Sequence, residues 1–282
     1  HVVGDEQHRG PVGAHLPELH ELPYFPAPLR KVLAGVTAAV MIGKSAPVTF
    51  FGYPDTPSTA LPDGIDQMHL CDDRGDVDAS LEALAERLDA STDEPLPHTG
   101  LAELPDGPLD PNALGLAVAR AIRPGHIVIN ESITSAPSYR RLAPHAAAHT
   151  LMAILGGAIG GGLPAAVGAA VGAPDRPVLA LQADGSALYT IQSLWTMARE
   201  QLDVTVVLLA NQRYNILEVE LADAGLDLSE RGRAMTSLAG PTVSFAGLAE
   251  GFGVPARAVA TTGELADALD WAIDGAGPHL IE

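Results

Sequence analysis

The sequence predicts an α/β protein: a doubly wound parallel sheet over residues 112–282, preceded by part of a second α/β domain over residues 1–90. Three observations carry that prediction. From residue 112 onward, strand-like and helix-like runs alternate, which is the pattern of parallel strands joined by right-handed crossovers. The run Val204–Ala210 is apolar throughout, as expected of a strand covered on both faces. Between the two parts, residues 91–111 are rich in Pro, Asp, Ser and Thr, with prolines at 95, 97, 105, 108 and 111, which is the composition of a linker.

In chain order, Ala38–Ile42 and Ala46–Phe51 read as short strands, bounded by turn residues and rich in apolar or β-branched side chains. Asp78–Leu88 carries Leu81, Leu84, Ala85 and Leu88 at helical spacing. Asn112–Ile122 reads as a helix and His126–Asn130 as a strand. Leu151–Ala173 is uncharged and long enough to span a bilayer, but it holds seven glycines and Pro164, so it reads as a glycine-rich turn leading into a buried helix, Leu163–Val171. Pro177–Gln182 is a strand. Leu188–Glu200 reads as one helix with Leu188, Ile191, Leu194, Trp195 and Ala198 on a single face. Ser244–Phe252 and Glu264–Ile273 are further helices, and His279–Ile281 is a final strand.

Composition narrows the function. The 282 residues carry a net charge of −19 and are 47% hydrophobic but only 18% charged, so a sizeable core can be buried. Such an acidic chain lacks the basic face that nucleic acids or anionic membranes require. Any phosphorylated ligand would need main-chain N–H groups or a metal ion to offset the carboxylates. Cys71 is the single cysteine, which excludes an intrachain disulfide, and His1–Gly10 is polar; a cytoplasmic setting is expected. The chain starts at His1 without Met and stops at Glu282 after an apolar run, so the expectation is a piece of a longer protein.

In a doubly wound sheet, ligands bind at the carboxyl ends of the strands. Pro177–Gln182 runs into Ala183-Asp184-Gly185-Ser186, and Val204–Ala210 runs into Asn211-Gln212-Arg213-Tyr214. One crossover joins the two strands, so Asp184 and Asn211 can converge. A carboxylate, a side-chain amide and a main-chain carbonyl are hard oxygen donors that suit Mg²⁺. Gly185 permits close approach of the backbone to a ligand, and the amides of Gly185, Ser186 and Ala187 open a helix and can hold a phosphate. Taken alone, Asp-Gly-Ser equally describes a strand–turn–helix with Asp as its cap.

Asp184-Gly185-Ser186, followed after 26 residues by Asn211, resembles the signature of thiamine diphosphate (ThDP) enzymes. The glycine-rich run Gly156–Ala170 is similar to the segment that precedes this signature in acetolactate synthases and benzoylformate decarboxylases. Asp184–Trp195 and Gly277–Glu282 resemble the same group, Asn130-Glu131-Ser132 resembles benzoylformate decarboxylases, and Leu22–Pro26 resembles the latter part of the central domain of acetolactate synthase large-subunit-like proteins. Ala183 and Ala210 depart from the pattern, where Gly and Asn are usual. The resemblance implies that residues 112–282 are the diphosphate-binding domain and residues 1–90 the end of the central domain. It implies that Asp184 and Asn211 ligate Mg²⁺ through side chains and Arg213 through its main-chain carbonyl. It further implies that Gly185 and Ser186 contact the diphosphate, with Ser132, Thr134 and Tyr214 as additional cofactor-binding candidates. Gly157 would offer its carbonyl to the aminopyrimidine, and Ile159 would prop the cofactor into its bent conformation. The glutamate that activates the cofactor belongs to the family's pyrimidine-binding domain, and no counterpart of it is found in this sequence.

The expected function is therefore ThDP- and Mg²⁺-dependent decarboxylation or carboligation of a 2-keto acid, acetolactate synthase-like, by a homo-oligomer when whole, with this chain inactive alone. A benzoylformate decarboxylase-like decarboxylase and a non-catalytic ThDP-binding module are the alternatives. Other motifs are poor. Gly43-Lys44-Ser45 lacks the first glycine of a phosphate loop, and neither G-x-G-x-x-G nor G-x-S-x-G occurs. His145 and His149 would share a face if helical, but no Glu follows His145 as a zinc-protease motif requires.

Overall fold

A computed structural model describes residues 3–4, 9–17, 20–90, 99–154 and 156–282. The chain divides into two compact units, Leu19–Leu96 with the first six residues, and Pro97–Glu282 with Gln7–Glu18. Residues 91–98 of the expected linker lie outside the described residues; residues 99–110 form neither helix nor strand, apart from a bridge between Pro108 and Thr261.

Three short strands begin the chain: β1 (Val3–Gly4), β2 (Arg9–Val12) and β3 (His20–Glu21). In the first unit β1 pairs in parallel with β3. Helix α1 (Pro26–Leu33) follows, with proline in its first turn where the missing N–H is no loss. Its Leu29 and Leu33 pack with Ala60 in a small core. Strand β4 (Ala38–Ile42) pairs in parallel with β5 (Asp66–Cys71), and α2 (Val77–Leu88) starts at Asp76, whose carboxylate accepts the Ala79 N–H. The expected strand Ala46–Phe51 does not form; only Val48 makes an isolated bridge, to Thr59. Pro47 has no N–H for a ladder, and Phe50 and Phe51 instead join Tyr24 in an aromatic cluster with centroids 5.0–6.3 Å apart.

The second unit is built on a seven-stranded sheet. Helix α3 (Pro111–Ala121) is capped by Asp110, which accepts the Asn112 and Ala113 N–H groups. Next come β6 (Ile127–Glu131), α4 (Ala136–Arg140), β7 (His149–Ala153), α5 (Gly162–Gly172) and β8 (Val178–Ala183). Helices α6 (Asp184–Thr190) and α7 (Ser193–Glu200) lead to β9 (Val204–Leu209). The chain ends with α8 (Asn215–Asp223), α9 (Glu230–Thr236), α10 (Phe245–Gly251), β10 (Ala256–Arg257), α11 (Thr262–Asp274) and β11 (His279–Ile281). The strand order is β10-β11-β9-β8-β6-β7-β2, parallel except for β2, which runs antiparallel to β7.

Helices cover both faces. On one, Val118 of α3 and Leu265 and Leu269 of α11 pack over Val128, Leu179, Leu181 and Val207. On the other, Leu163 and Ala166 of α5, Leu194 and Met197 of α7 and Phe245 of α10 pack over Ile127, Ile129, Ala180 and Val206. Alternate residues of each strand therefore go to opposite cores, which is why these runs are apolar throughout.

A second expectation is corrected. Residues 188–200 are not one helix: the chain breaks at Ile191-Gln192 between α6 and α7, and Trp195 leaves the proposed apolar face, 51% exposed under Arg199, while Met197 takes the core position. His145 and His149 do not share a helix, because His149 opens β7. Among the described residues no helix is long and apolar enough to cross a membrane.

Candidate functional site

The chain places β7 on one side of β6 and β8 on the other, and continues outward from β8 to β9 and β11. The switch between β6 and β8 opens a crevice at the strands' carboxyl ends. A cleft lies there, lined by Ser132, Ile133, Thr134 and Ser135 after β6, by Ile159, by Ala183–Ser186 after β8, and by Leu209, Asn211, Arg213, Tyr214, Asn215 and Ile216 after β9.

Asp184 is 1% exposed at the start of α6. Its Oδ1 accepts the Gly185 N–H at 2.8 Å and its Oδ2 accepts the Gln212 N–H at 2.6 Å. Burial pushes this carboxyl above the usual range, and the main-chain N–H groups around it act in the opposite direction. The second bond brings the loop after β9 onto Asp184. That loop is folded by Asn211, whose Oδ1 accepts the Arg213 N–H at 3.0 Å, with Gln212 in the left-handed region at φ 59°. Tyr214 N–H donates to Thr236 and Leu238 N–H to Gln212, so the loop is also fixed from α9 onward. Glu218 of α8 accepts from Thr236 Oγ1 at 3.1 Å and pairs with Arg213 at 3.4 Å.

Gly185 is required by contact. A Cβ there would lie 2.5 Å from the ring of Tyr214, whose hydroxyl donates to the Gly185 carbonyl at 3.4 Å. Burial first, then Tyr189 and Asp184, raise the Tyr214 phenol above its ordinary range. Ser186 is buried in the first turn of α6. Across the cleft Ser132 is buried, its N–H and hydroxyl both donating to Asn130 Oδ1, at 3.1 and 2.7 Å. Ile133 holds φ 49°, a rare conformation for a β-branched residue, and turns the chain so that Thr134 faces the cleft.

The sequence-selected residues Ser132, Thr134, Ile159, Asp184, Gly185, Ser186, Asn211, Arg213 and Tyr214 thus line one cleft; Gly157 is exposed at φ 66° and is not part of the lining. Ile133, Ser135, Asn215 and Ile216 were not selected. Asn215 and Ile216 belong to the first turn of α8, which borders the cleft. Asp184 and Asn211, a buried carboxylate and a side-chain amide at adjacent strand ends, are oxygen donors of the kind a divalent ion takes. Among the described residues no cluster of three His, Cys, Asp or Glu forms.

Comparison with known proteins identifies the family. The family model described as thiamine pyrophosphate enzyme, C-terminal TPP binding domain, matches residues 134–282. A Mycobacterium tuberculosis protein named acetolactate synthase large subunit IlvX is 43% identical over 96% of this chain and 53% of its own length. A benzoylformate decarboxylase of Pseudomonas aeruginosa is 32% identical over 93% of this chain and 51% of its own. The solved structure of a thiamine diphosphate-dependent 4-hydroxybenzoylformate decarboxylase from Rhodococcus jostii RHA1 aligns with a TM-score of 0.77 at 30% identity, over 95% of this chain and 52% of that one. The chain therefore spans about half the length of the relatives it matches, and it belongs to the thiamine pyrophosphate enzyme family through a C-terminal TPP binding domain that takes up more than half of its residues.

Proposed function

We propose that this chain forms the diphosphate-binding part of a ThDP- and Mg²⁺-dependent enzyme that decarboxylates a 2-keto acid and joins the product to a second carbonyl, as its acetolactate synthase-named relative suggests. The observation that carries this reading is the Asp184 carboxylate, buried at the end of β8 and bonded to the loop that Asn211 folds at the end of β9. Asp184, Asn211 and the Arg213 carbonyl would hold Mg²⁺; Gly185, Ser186, Ser132, Thr134 and Tyr214 would border the diphosphate; Gly157 and Ile159 would meet the aminopyrimidine side. When bound, ThDP would supply a nucleophilic thiazolium carbon and an electron sink for a 2-keto acid. This chain's residues bind and orient: main-chain amides and a metal neutralise the diphosphate, which is how a protein of net charge −19 can hold it.

Residues 1–90 are proposed as the end of a central domain, 91–111 as the connection and 112–282 as the diphosphate-binding domain. The activating glutamate is assigned outside these residues, in a cytoplasmic homo-oligomer. Calorimetric titration of ThDP tests the site. Binding is expected with Mg²⁺, and is expected to be about a hundredfold weaker without it or in Asp184→Ala; equal heats in all three conditions would refute the metal–diphosphate assignment. A second reading, simple decarboxylation, is favoured by the 30% identity to the Rhodococcus decarboxylase. Product analysis of the full-length protein separates them: acetolactate from pyruvate, or free aldehyde.

A further inference from the structure

Glu131 is the last residue of β6, 1% exposed, and stands beside Gln182 of β8 in the parallel register. Its two oxygens receive three donors. Oε1 accepts the Gly160 N–H at 2.6 Å, and Oε2 accepts the Gly162 N–H at 2.6 Å and Gln182 Nε2 at 2.9 Å. An ionised carboxylate offers two acceptor oxygens and no donor, which is what two converging N–H groups need; glutamine would turn an NH₂ group against one of them. Burying a carboxylate is costly unless it is hydrogen-bonded, and charge-assisted bonds of this length are the strong ones.

The turn has no space for another arrangement. A Cβ on Gly162 would run into Gln182 Oε1 and lie 2.5 Å from Glu131 Oε2, and one on Gly160 would lie 2.6 Å from Tyr189 Cβ. From the opposite side Thr190 Oγ1 donates to the Gly160 carbonyl at 2.8 Å. The turn is therefore held between the end of β6 and the end of α6, the helix that opens with Asp184. Ile159, immediately before Gly160, lines the cleft; Glu131 does not.

We propose that Glu131 is a positioning residue of the cofactor site: its carboxylate ties the Gly160 and Gly162 amides to the end of β6 and so fixes Ile159 against the cleft. The effect on cofactor binding rests on the reading of the cleft as a ThDP site, whereas the clamp itself does not, so two measurements separate them. The first is amide hydrogen exchange on the ligand-free 282-residue chain. Glu131→Gln speeds exchange at Gly160 and Gly162 by about tenfold or more, the scale of losing a charge-assisted bond, without a matching rise at the amides of β9. The second is ThDP titration with Mg²⁺, in which Glu131→Gln weakens binding by about tenfold, as residues that orient a site commonly do. Gln182→Leu removes the third donor but leaves both turn contacts, and keeps the turn's protection within about threefold of wild type.

Unchanged exchange in Glu131→Gln overturns the clamp, as does an equal rise throughout the sheet or a turn equally loosened in Gln182→Leu. A loosened turn with unchanged ThDP affinity overturns the positioning role. If wild type itself does not bind ThDP, the site reading fails while the exchange result still judges the clamp. Should Glu131→Gln not accumulate folded, Glu131→Asp, one methylene shorter with the charge kept, is read the same way.

Discussion

At the carboxyl ends of β6 and β8 lie two buried acids, Glu131 and Asp184; at the amino ends of β6 and β7 lie two buried histidines, His126 and His149. All four are at most 4% exposed. The acids face main-chain N–H groups, and Asp184 borders a cleft. The histidines are buried in the protein interior. His149 Nδ1 donates to the Ala147 carbonyl at 2.7 Å, which leaves Nε2 to accept the buried Tyr139 hydroxyl at 2.6 Å. Burial lowers both rings, His126 to about 4, with Arg123 and His149 adding to the effect on His126. Burial also raises the Tyr139 phenol. One end of the sheet thus holds carboxylates where donors meet them, and at the other end burial disfavours charge on the two rings.

The comparison is broken most strongly at its open acid. Asp184→Ala should cost about a hundredfold in Mg²⁺-dependent ThDP affinity by calorimetry, the upper range for metal-site residues. The opposite end is tested by pH. Between the ordinary histidine value and the lowered one, the folded protein binds fewer protons than the unfolded chain. The stability present above pH 6.5 is therefore lost as pH falls. His126 alone accounts for about 2 kcal/mol between pH 7 and pH 5, and His149 acts in the same direction. Urea midpoints of wild type and His126→Leu at both pH values read the difference; parallel falls would remove the assignment. Next in size is the approximately tenfold loss for Glu131→Gln, which sets the closed acid against the open one. Smallest is Gly185→Ala: crowding the Tyr214 ring should lower stability by about 1 kcal/mol, and adding Tyr214→Ala should restore most of it in the same urea assay.

The sequence made β6, β8, β9 and β11 readable because their largely apolar runs are buried on both faces, and the spacing from Asp184 to Asn211 placed two donors one crossover apart. The structure brings the two segments together through the Gln212 N–H. Other features depend on contacts that local pattern does not encode. β5 is mostly exposed and reads Asp-Gln-Met-His-Leu-Cys, so no apolar run marked it. Ala46–Phe51 carried a strand-like composition, yet its aromatic side chains settled on Tyr24. β7 was hidden behind the i, i+4 spacing of His145 and His149. Glu131 lay in plain view within Asn130-Glu131-Ser132, but its role depends on a glycine turn nearly thirty residues later folding back over it.

Strand β2 has a consequence for how the molecule can be assembled and divided. Its Arg9–Val12 run antiparallel to His149–Met152, and Gly13, at φ 128°, lets the chain pass so close to Ala147 that a Cβ would lie 2.7 Å from its carbonyl oxygen. Residues 19–96, which belong to the first unit, therefore separate β2 from the rest of the second unit in the sequence. A ribosome must deliver residue 149 before β2 has a partner, which makes this pairing a late, long-range closure. A protein cut before Pro97 to isolate the sheet would leave the outer edge of β7 unpaired and open to another chain's strand.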